Sequence, residues 1–165
     1  MIASMRMLHK TIFILLVLIN HNSIAQLRAP TDLELKAAYC MTIVGHYRDV
    51  NQTAKTLTAN AGLLDFYDKQ IAEFEGRGKK VSSYLAINIG HIEPLGLAVA
   101  MASAKDDITK IELDNELNSC IKSCSNDFML DRAYQKFEQC YNKCVLNNDR
   151  MKKMRSCWDL TWLPF

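Results

Sequence analysis

Six cysteines carry the clearest chemical pattern in this 165-residue chain. Four of them form two Cys-x3-Cys pairs, in which residues four apart would lie on one face of a helix, one turn apart. Two antiparallel helices that fold back near residue 132 would place Cys120 opposite Cys144 and Cys124 opposite Cys140. Packed helix axes lie roughly 8–10 Å apart, which brings facing Cα atoms within disulfide range. We therefore predict two disulfides that staple a helical hairpin.

A metal site is the alternative chemistry for the same four cysteines. Zinc ligands commonly occur as two cysteines separated by two to four residues, so the spacing also fits a four-thiolate site. The cellular compartment separates the two interpretations, because disulfides persist in oxidising compartments and are rare in the cytosol. The N-terminus, described next, favours disulfides. The remaining cysteines, Cys40 and Cys157, are then paired by elimination.

The first 25 residues have the pattern of a secretory signal peptide. Arg6 and Lys10 precede or flank an apolar run over residues 11–19, which is too short to span a bilayer. Small residues lead to Ala25, so we predict cleavage before Gln26. An uncleaved membrane anchor is the alternative. Cleavage would leave residues 26–165 as a single domain without an integral membrane span, secreted or located in the periplasm.

The charge balance gives no sign of a nucleic-acid partner. The chain has 20 basic and 18 acidic residues. The predicted leader holds two of the basic residues and none of the acidic ones, so the remainder has a net charge near zero. Nucleic-acid binding proteins instead carry a basic surface that neutralises phosphates. We expect no nucleic-acid contact.

Helical periodicity and the scarcity of strand signals predict an all-α fold, a compact bundle of about six helices with the stapled hairpin at its C-terminal end. Thr31 and Glu34 form a capping-box pattern at the start of the first helix. Glycines, prolines and acidic residues mark the predicted breaks. The predicted helices run over about 32–59, 63–75, 79–90, 95–104, the two arms of a hairpin at about 107–147, and 149–157, with breaks at Gly76–Gly78, Gly90–Pro94 and Lys105–Asp107.

Four polar residues could in principle do acid–base chemistry: His46, Asp49, His91 and Glu93. His46 lies on the apolar stripe of the first helix, which favours a half-buried histidine bonded to a neighbour, such as Asp49. His91 and Glu93 share a turn, with no third group to orient them. The chain shows no nucleophile elbow, phosphate loop, dinucleotide fingerprint or HExxH motif. We therefore predict no catalytic, cofactor or metal site, and no cofactor.

The paired Cys-x3-Cys pattern resembles the small Tim chaperones of the mitochondrial intermembrane space and the plant α-hairpinin peptides. The resemblance covers about Ile108–Leu146 and implies a hairpin bridged outer to outer and inner to inner. It carries over no binding residue. This chain differs in its export leader, its long helical segment before the hairpin and its two further cysteines. The stretch Thr31–Cys40 is similar to the openings of small exported bacterial proteins of unknown function.

These observations favour an exported, disulfide-stabilised helical binding or accessory protein without catalytic activity, acting on an unknown protein or a small apolar ligand. One alternative is an inhibitor or a defence or toxin-like protein that acts on an enzyme or membrane through the hairpin tip, Asn126–Arg132. Another is an enzyme that uses the four polar residues above.

Two C-terminal features each allow two interpretations. Basic residues cluster within 150–155, and we expect a solvated helix face favoured by the helix dipole, with an anionic partner or membrane surface as the alternative. The apolar tail Trp158–Phe165 is expected to lie on the core, held by the bridge between Cys40 and Cys157. A tail free of the core would instead be a contact for a partner.

Overall fold

The predicted all-α fold is confirmed. The computed structural model describes residues 27–59, 61–131 and 134–164, with side chains described outside positions 62 and 125–138. No helix in these ranges has the length and apolar character needed to cross a membrane. The predicted leader and the side chains of the predicted hairpin tip lie outside the described residues. The helices are α1 Asp32–Leu57, α2 Ala61–Asn88, α3 Pro94–Glu112, α4 Asn115–Asp131, α5 Tyr134–Leu146 and α6 Asp149–Arg155, with a 3-10 turn at Ile89–His91.

The predicted capping box at the start of α1 is present and also holds an ion pair. Thr31 Oγ1 accepts a hydrogen bond from the Glu34 backbone N–H, and Glu34 Oε2 accepts one from the Thr31 backbone N–H. Glu34 is only 2% exposed, and both of its carboxylate oxygens bind the guanidinium of Arg28, at 2.7 and 2.5 Å. The hydrogen bonds from Arg28 outweigh burial and lower the pKa of Glu34 to about 2.

The segment before α1 is fastened to the turn between α2 and α3. The Arg28 backbone N–H donates to the His91 carbonyl, and the Glu93 N–H donates to the Arg28 carbonyl, both at 2.9 Å. Pro30 then packs against Gly96 so closely that a Cβ at position 96 would lie 2.5 Å from Pro30 Cγ. Gly96 therefore permits the close approach of this segment to α3.

The predicted helix break at Gly76–Gly78 is wrong, because α2 continues through both glycines. Each glycine costs a helix roughly 1 kcal/mol relative to alanine. Burial of Phe74 and Val81 on either side favours continuation, and Arg77 forms an i,i+4 ion pair with Glu73. Packing therefore outweighs the local glycine signal.

The predicted boundary at Lys105–Asp107 is also wrong, because α3 runs on to Glu112. Ala104 and Ile108 are buried one turn apart on its inner face, so the acidic residues between them lie within the helix. The first hairpin helix instead begins at Asn115, where Asp114 Oδ1 accepts a hydrogen bond from the Leu117 backbone N–H. The hairpin helix is therefore capped by Asp114, seven residues after the predicted start at Asp107.

All three predicted disulfides are present. Cys120 pairs with Cys144 and Cys124 with Cys140, with Cα atoms 5.9 and 5.6 Å apart, and these bridges join α4 to α5. The third bridge joins Cys40 in α1 to Cys157 after α6, with Cα atoms 5.1 Å apart. The alternative four-thiolate metal site requires reduced cysteines, whereas these four sulfurs are joined in disulfides.

The C-terminal tail lies on the core, as predicted. Leu163 is 6% exposed and packs in a cluster built from α1, α2 and α3. The Trp162 indole N–H donates to the Ser156 carbonyl at 3.2 Å, and Lys36 lies over the same indole ring. The tail therefore covers one end of the helical bundle.

Replacing Gly96 should destabilise the fold, and Gly76 offers a matched control. Gly96→Ala should lower the free energy of unfolding by about 1–3 kcal/mol, because the new methyl group would overlap Pro30. Gly76→Ala, also within a helix, meets open space and should raise it by roughly 0.5–1 kcal/mol. Urea unfolding measures both. Equal stabilisation by the two alanines would contradict the Pro30 contact.

The buried Glu34 carboxylate should make stability depend on acid pH. Its pKa is lowered on folding, so its contribution is complete above its usual value of 4.5 and is lost as the pH falls towards 2. Glu34→Gln should therefore be less stable than the native chain at neutral pH, by on the order of 2 kcal/mol. The difference should shrink at pH 3. Asp49→Asn, which removes an exposed carboxylate, is the control, and a pH-independent difference for Glu34→Gln would contradict the ion pair.

Candidate functional site

An aromatic cleft of about 450 Å³ lies between α1, α2, α5 and the C-terminal end of α6. Five of its eleven described lining residues are aromatic. Pockets that bind small molecules have volumes of about 300–1,000 Å³ and are lined mainly by apolar and aromatic side chains with a few polar groups. The cleft has the size and lining of such a pocket.

Two helices supply one wall of the cleft through residues at helical spacing. Tyr47 and Asn51 lie four apart on α1, and Phe66, Gln70 and Phe74 follow one another at intervals of four on α2. Phe74 is 4% exposed whereas Phe66 is 43% exposed. The α2 stripe therefore runs from a buried floor to an open rim.

Three aromatic rings meet at the floor of the cleft. The rings of Tyr47 and Phe74 stack with centroids 5.9 Å apart and an interplanar angle of 22°. The Trp158 ring meets Tyr47 edge-on at 5.1 Å and Phe74 at 6.2 Å. Aromatic pairs in this range contribute about 0.5–1.5 kcal/mol each beyond their buried area. The three rings therefore pack against one another to form an apolar floor.

The disulfide between Cys40 and Cys157 fixes Trp158 in this cluster. Both cysteines are fully buried, and Trp158 is the residue directly after the second one. Cys40 lies seven residues before Tyr47 on α1, which is two helical turns along the same face. The bridge therefore delivers Trp158 to the face of α1 that carries Tyr47.

The opposite wall comes from α5 and α6. Tyr141 and Val145 lie one turn apart on α5, and Met151 lies on α6. Burial raises the pKa of Tyr141, against the influence of the positive charge of Arg155, and burial likewise raises the pKa of Tyr47. Both phenols are therefore neutral at physiological pH.

Arg155 is the one charged side chain among the described residues that line the cleft. Its Nη1 donates a hydrogen bond to Asn142 Oδ1 at 2.8 Å, which ties the end of α6 to α5. The cleft thus combines an aromatic floor with a cation on its wall.

Two other surface concavities are less suited to an apolar ligand. One of about 510 Å³ adjoins the cleft and shares Asn142 and Arg155 with it, but its described lining includes no aromatic residue. One of about 580 Å³ lies between α1 and α2, and Phe74 is the one aromatic residue among its described lining. The aromatic cleft is therefore the stronger candidate site.

The four polar residues singled out in the sequence lie outside the described lining of the cleft. His46 is partly buried, and its Nε2 lies 3.4 Å from Glu112 Oε1. Asp49 instead accepts hydrogen bonds from Arg48. His91 and Glu93 are exposed in the turn before α3. Among the described contacts, none joins two of these four residues.

Three of the four basic residues of α6 form ion pairs with two aspartates. Lys153 Nζ lies 2.7 Å from Asp107 Oδ2 and Arg150 Nε 3.8 Å from Asp107 Oδ1, whereas Lys152 pairs with Asp149. Burial raises the pKa of Asp107, but hydrogen bonds from Lys153 and from the Tyr39 hydroxyl outweigh it, so the pKa is lowered overall. The cluster is exposed, as expected, but it also neutralises a buried acid that sequence analysis did not identify.

The cleft was not predicted from the sequence. Phe66, Gln70 and Phe74, which line it from α2, were not among the residues singled out as candidates for a site. One signal was available, since the predicted bridge to Cys40 brings the neighbouring Trp158 close to α1.

No family model matches this chain, and neither a characterised protein nor a solved structure is significantly similar to it. The resemblance to small Tim chaperones and α-hairpinins is therefore limited to the disulfide-stapled helical hairpin.

Removing the Cys40–Cys157 bridge should loosen the aromatic floor. Its cysteines are 117 residues apart, so Cys40→Ala with Cys157→Ala should cost about 3–5 kcal/mol in the chain-entropy model. Tryptophan emission should shift to longer wavelength as Trp158 gains water. Cys120→Ala with Cys144→Ala is the control, because the Cys124–Cys140 bridge still joins the hairpin. Unchanged emission in the first pair of substitutions would contradict this role of the bridge.

Proposed function

We propose that this chain is an exported, disulfide-stabilised helical binding protein that takes up a small apolar ligand in the aromatic cleft. The observation that carries the proposal is the ring cluster of Tyr47, Phe74 and Trp158 at the floor of a 450 Å³ cavity. A preformed apolar surface costs little to order when a ligand binds. The half-exposed Phe66 at the rim leaves one edge of the lining open to an entering molecule.

The disulfides support export. Three disulfides in a chain of this size are typical of proteins that fold in an oxidising compartment. Together with the signal-peptide pattern of residues 1–25, they favour a secreted or periplasmic location.

We assign binding without catalysis to the cleft. Its described polar groups are amides, phenols, one indole N–H and one guanidinium, with no carboxylate or imidazole among them. General acid–base chemistry most often uses a histidine or a carboxylate positioned beside the substrate. This composition favours a site that holds a ligand unchanged.

A neutral fluorescent probe tests the proposal. N-phenylnaphthylamine, an apolar amine that fluoresces when it leaves water, should bind the oxidised mature chain at one site. Phe66→Ala should weaken binding about fivefold, because a half-exposed ring on the lining is lost.

Leu57→Ala is the matched control. Leu57 is 82% exposed and lies outside the described lining of the cleft, so its loss removes apolar surface without touching the site. Probe affinity should be unchanged. Failure of the probe to bind the native chain, or equal weakening by both substitutions, would overturn the proposed function.

A further inference from the structure

The single charge on the cleft wall indicates which ligands it would select. The described lining contains one guanidinium, Arg155, and no carboxylate to neutralise it. Among described side chains, the hydrogen-bond partner of Arg155 is the neutral amide oxygen of Asn142. A positive charge beside an apolar floor complements a molecule that is apolar at one end and negative at the other.

Arg155 is exposed at the cleft and is hydrogen-bonded to α5. A guanidinium has five N–H donors, and the bond from Nη1 to Asn142 Oδ1 uses one of them while holding the group against α5. Planar guanidinium groups bind carboxylates and related anions through two parallel hydrogen bonds. Arg155 therefore retains the donors needed to bind an anion.

The surroundings of Arg155 preserve its positive charge. Asp107 pairs with both Lys153 and Arg150, and Asp149 pairs with Lys152. These two negative charges offset two of the four positive charges of α6. Neither acid pairs with Arg155 among the described ion pairs, so the charge of Arg155 remains at the cleft. Tyr141 also lines the cleft, and the positive charge of Arg155 opposes the rise that burial causes in the pKa of this tyrosine.

We propose that the ligand of the cleft is a small amphipathic organic anion, an aryl or alkyl acid whose anionic group binds Arg155 while its apolar body lies on the ring cluster. This inference rests on the proposed function and further specifies that the ligand is negatively charged. An apolar cation would meet the guanidinium in the same space and is disfavoured.

Two probes with one skeleton test the inference on the full oxidised chain. N-phenylnaphthylamine is neutral, and anilinonaphthalene sulfonate adds a negative sulfonate to nearly the same ring system. Arg155→Met should weaken binding of the sulfonate about five- to tenfold, as expected for loss of a hydrogen-bonded charge. It should weaken the neutral probe less than the sulfonate, because that probe has no negative charge for the guanidinium to bind.

Lys110→Met is the matched control for net charge. Lys110 is exposed, pairs with Asp106 on α3 and lies outside the described lining of the cleft. It should leave both probes unchanged. Native binding of the neutral probe with no effect of Arg155→Met on the sulfonate would overturn the inference and leave the proposed function standing. Equal loss of the sulfonate in both substitutions would also overturn it, and failure of both probes to bind the native chain would overturn both proposals.

Discussion

The covalent link between the two ends of the described chain is the constraint on which the rest depends. Cys40 on α1 and Cys157 beyond α6 are fully buried and joined across 117 residues. The helix before Cys157 has seven residues, and isolated helices of that length are unstable in water. The bridge therefore holds α6 in place, adds Trp158 to the rings of Tyr47 and Phe74, and keeps the tail on the core.

The disulfide pairing and the helix cap could be predicted because each depends on the spacing of residues along the sequence. Cysteines four apart must share a helix face, so the pairing of Cys120 with Cys144 could be predicted before any contact was known. The capping box of Thr31 and Glu34 is likewise a pattern within one turn. The ion pair of Glu34 with Arg28 was not predicted, because it requires the backbone of Arg28 to be fastened to the turn at His91–Glu93.

The wrong helix boundaries share one cause. The glycines at 76 and 78 are local stop signals that the burial of Phe74 and Val81 overrides, and the acids before Ile108 lie in a helix whose inner face is buried. The cleft was missed for the same reason, since it is a property of four helices together. A single helix shows an aromatic stripe without showing whether another helix covers it or leaves it open.

The four basic residues of α6 show how packing assigns different roles to one sequence pattern. They form one cluster in the sequence but have different neighbours in the structure. Lys153 and Arg150 pair with the buried Asp107 of α3, on the side of α6 that faces Tyr39 and α1. Arg155 lies five residues, or about 1.4 turns, beyond Arg150, so it reaches the other side of α6 and the cleft. The network that stabilises the docking of α6 on the bundle is thus also what separates one guanidinium from its neighbours and leaves its charge to the aromatic cleft.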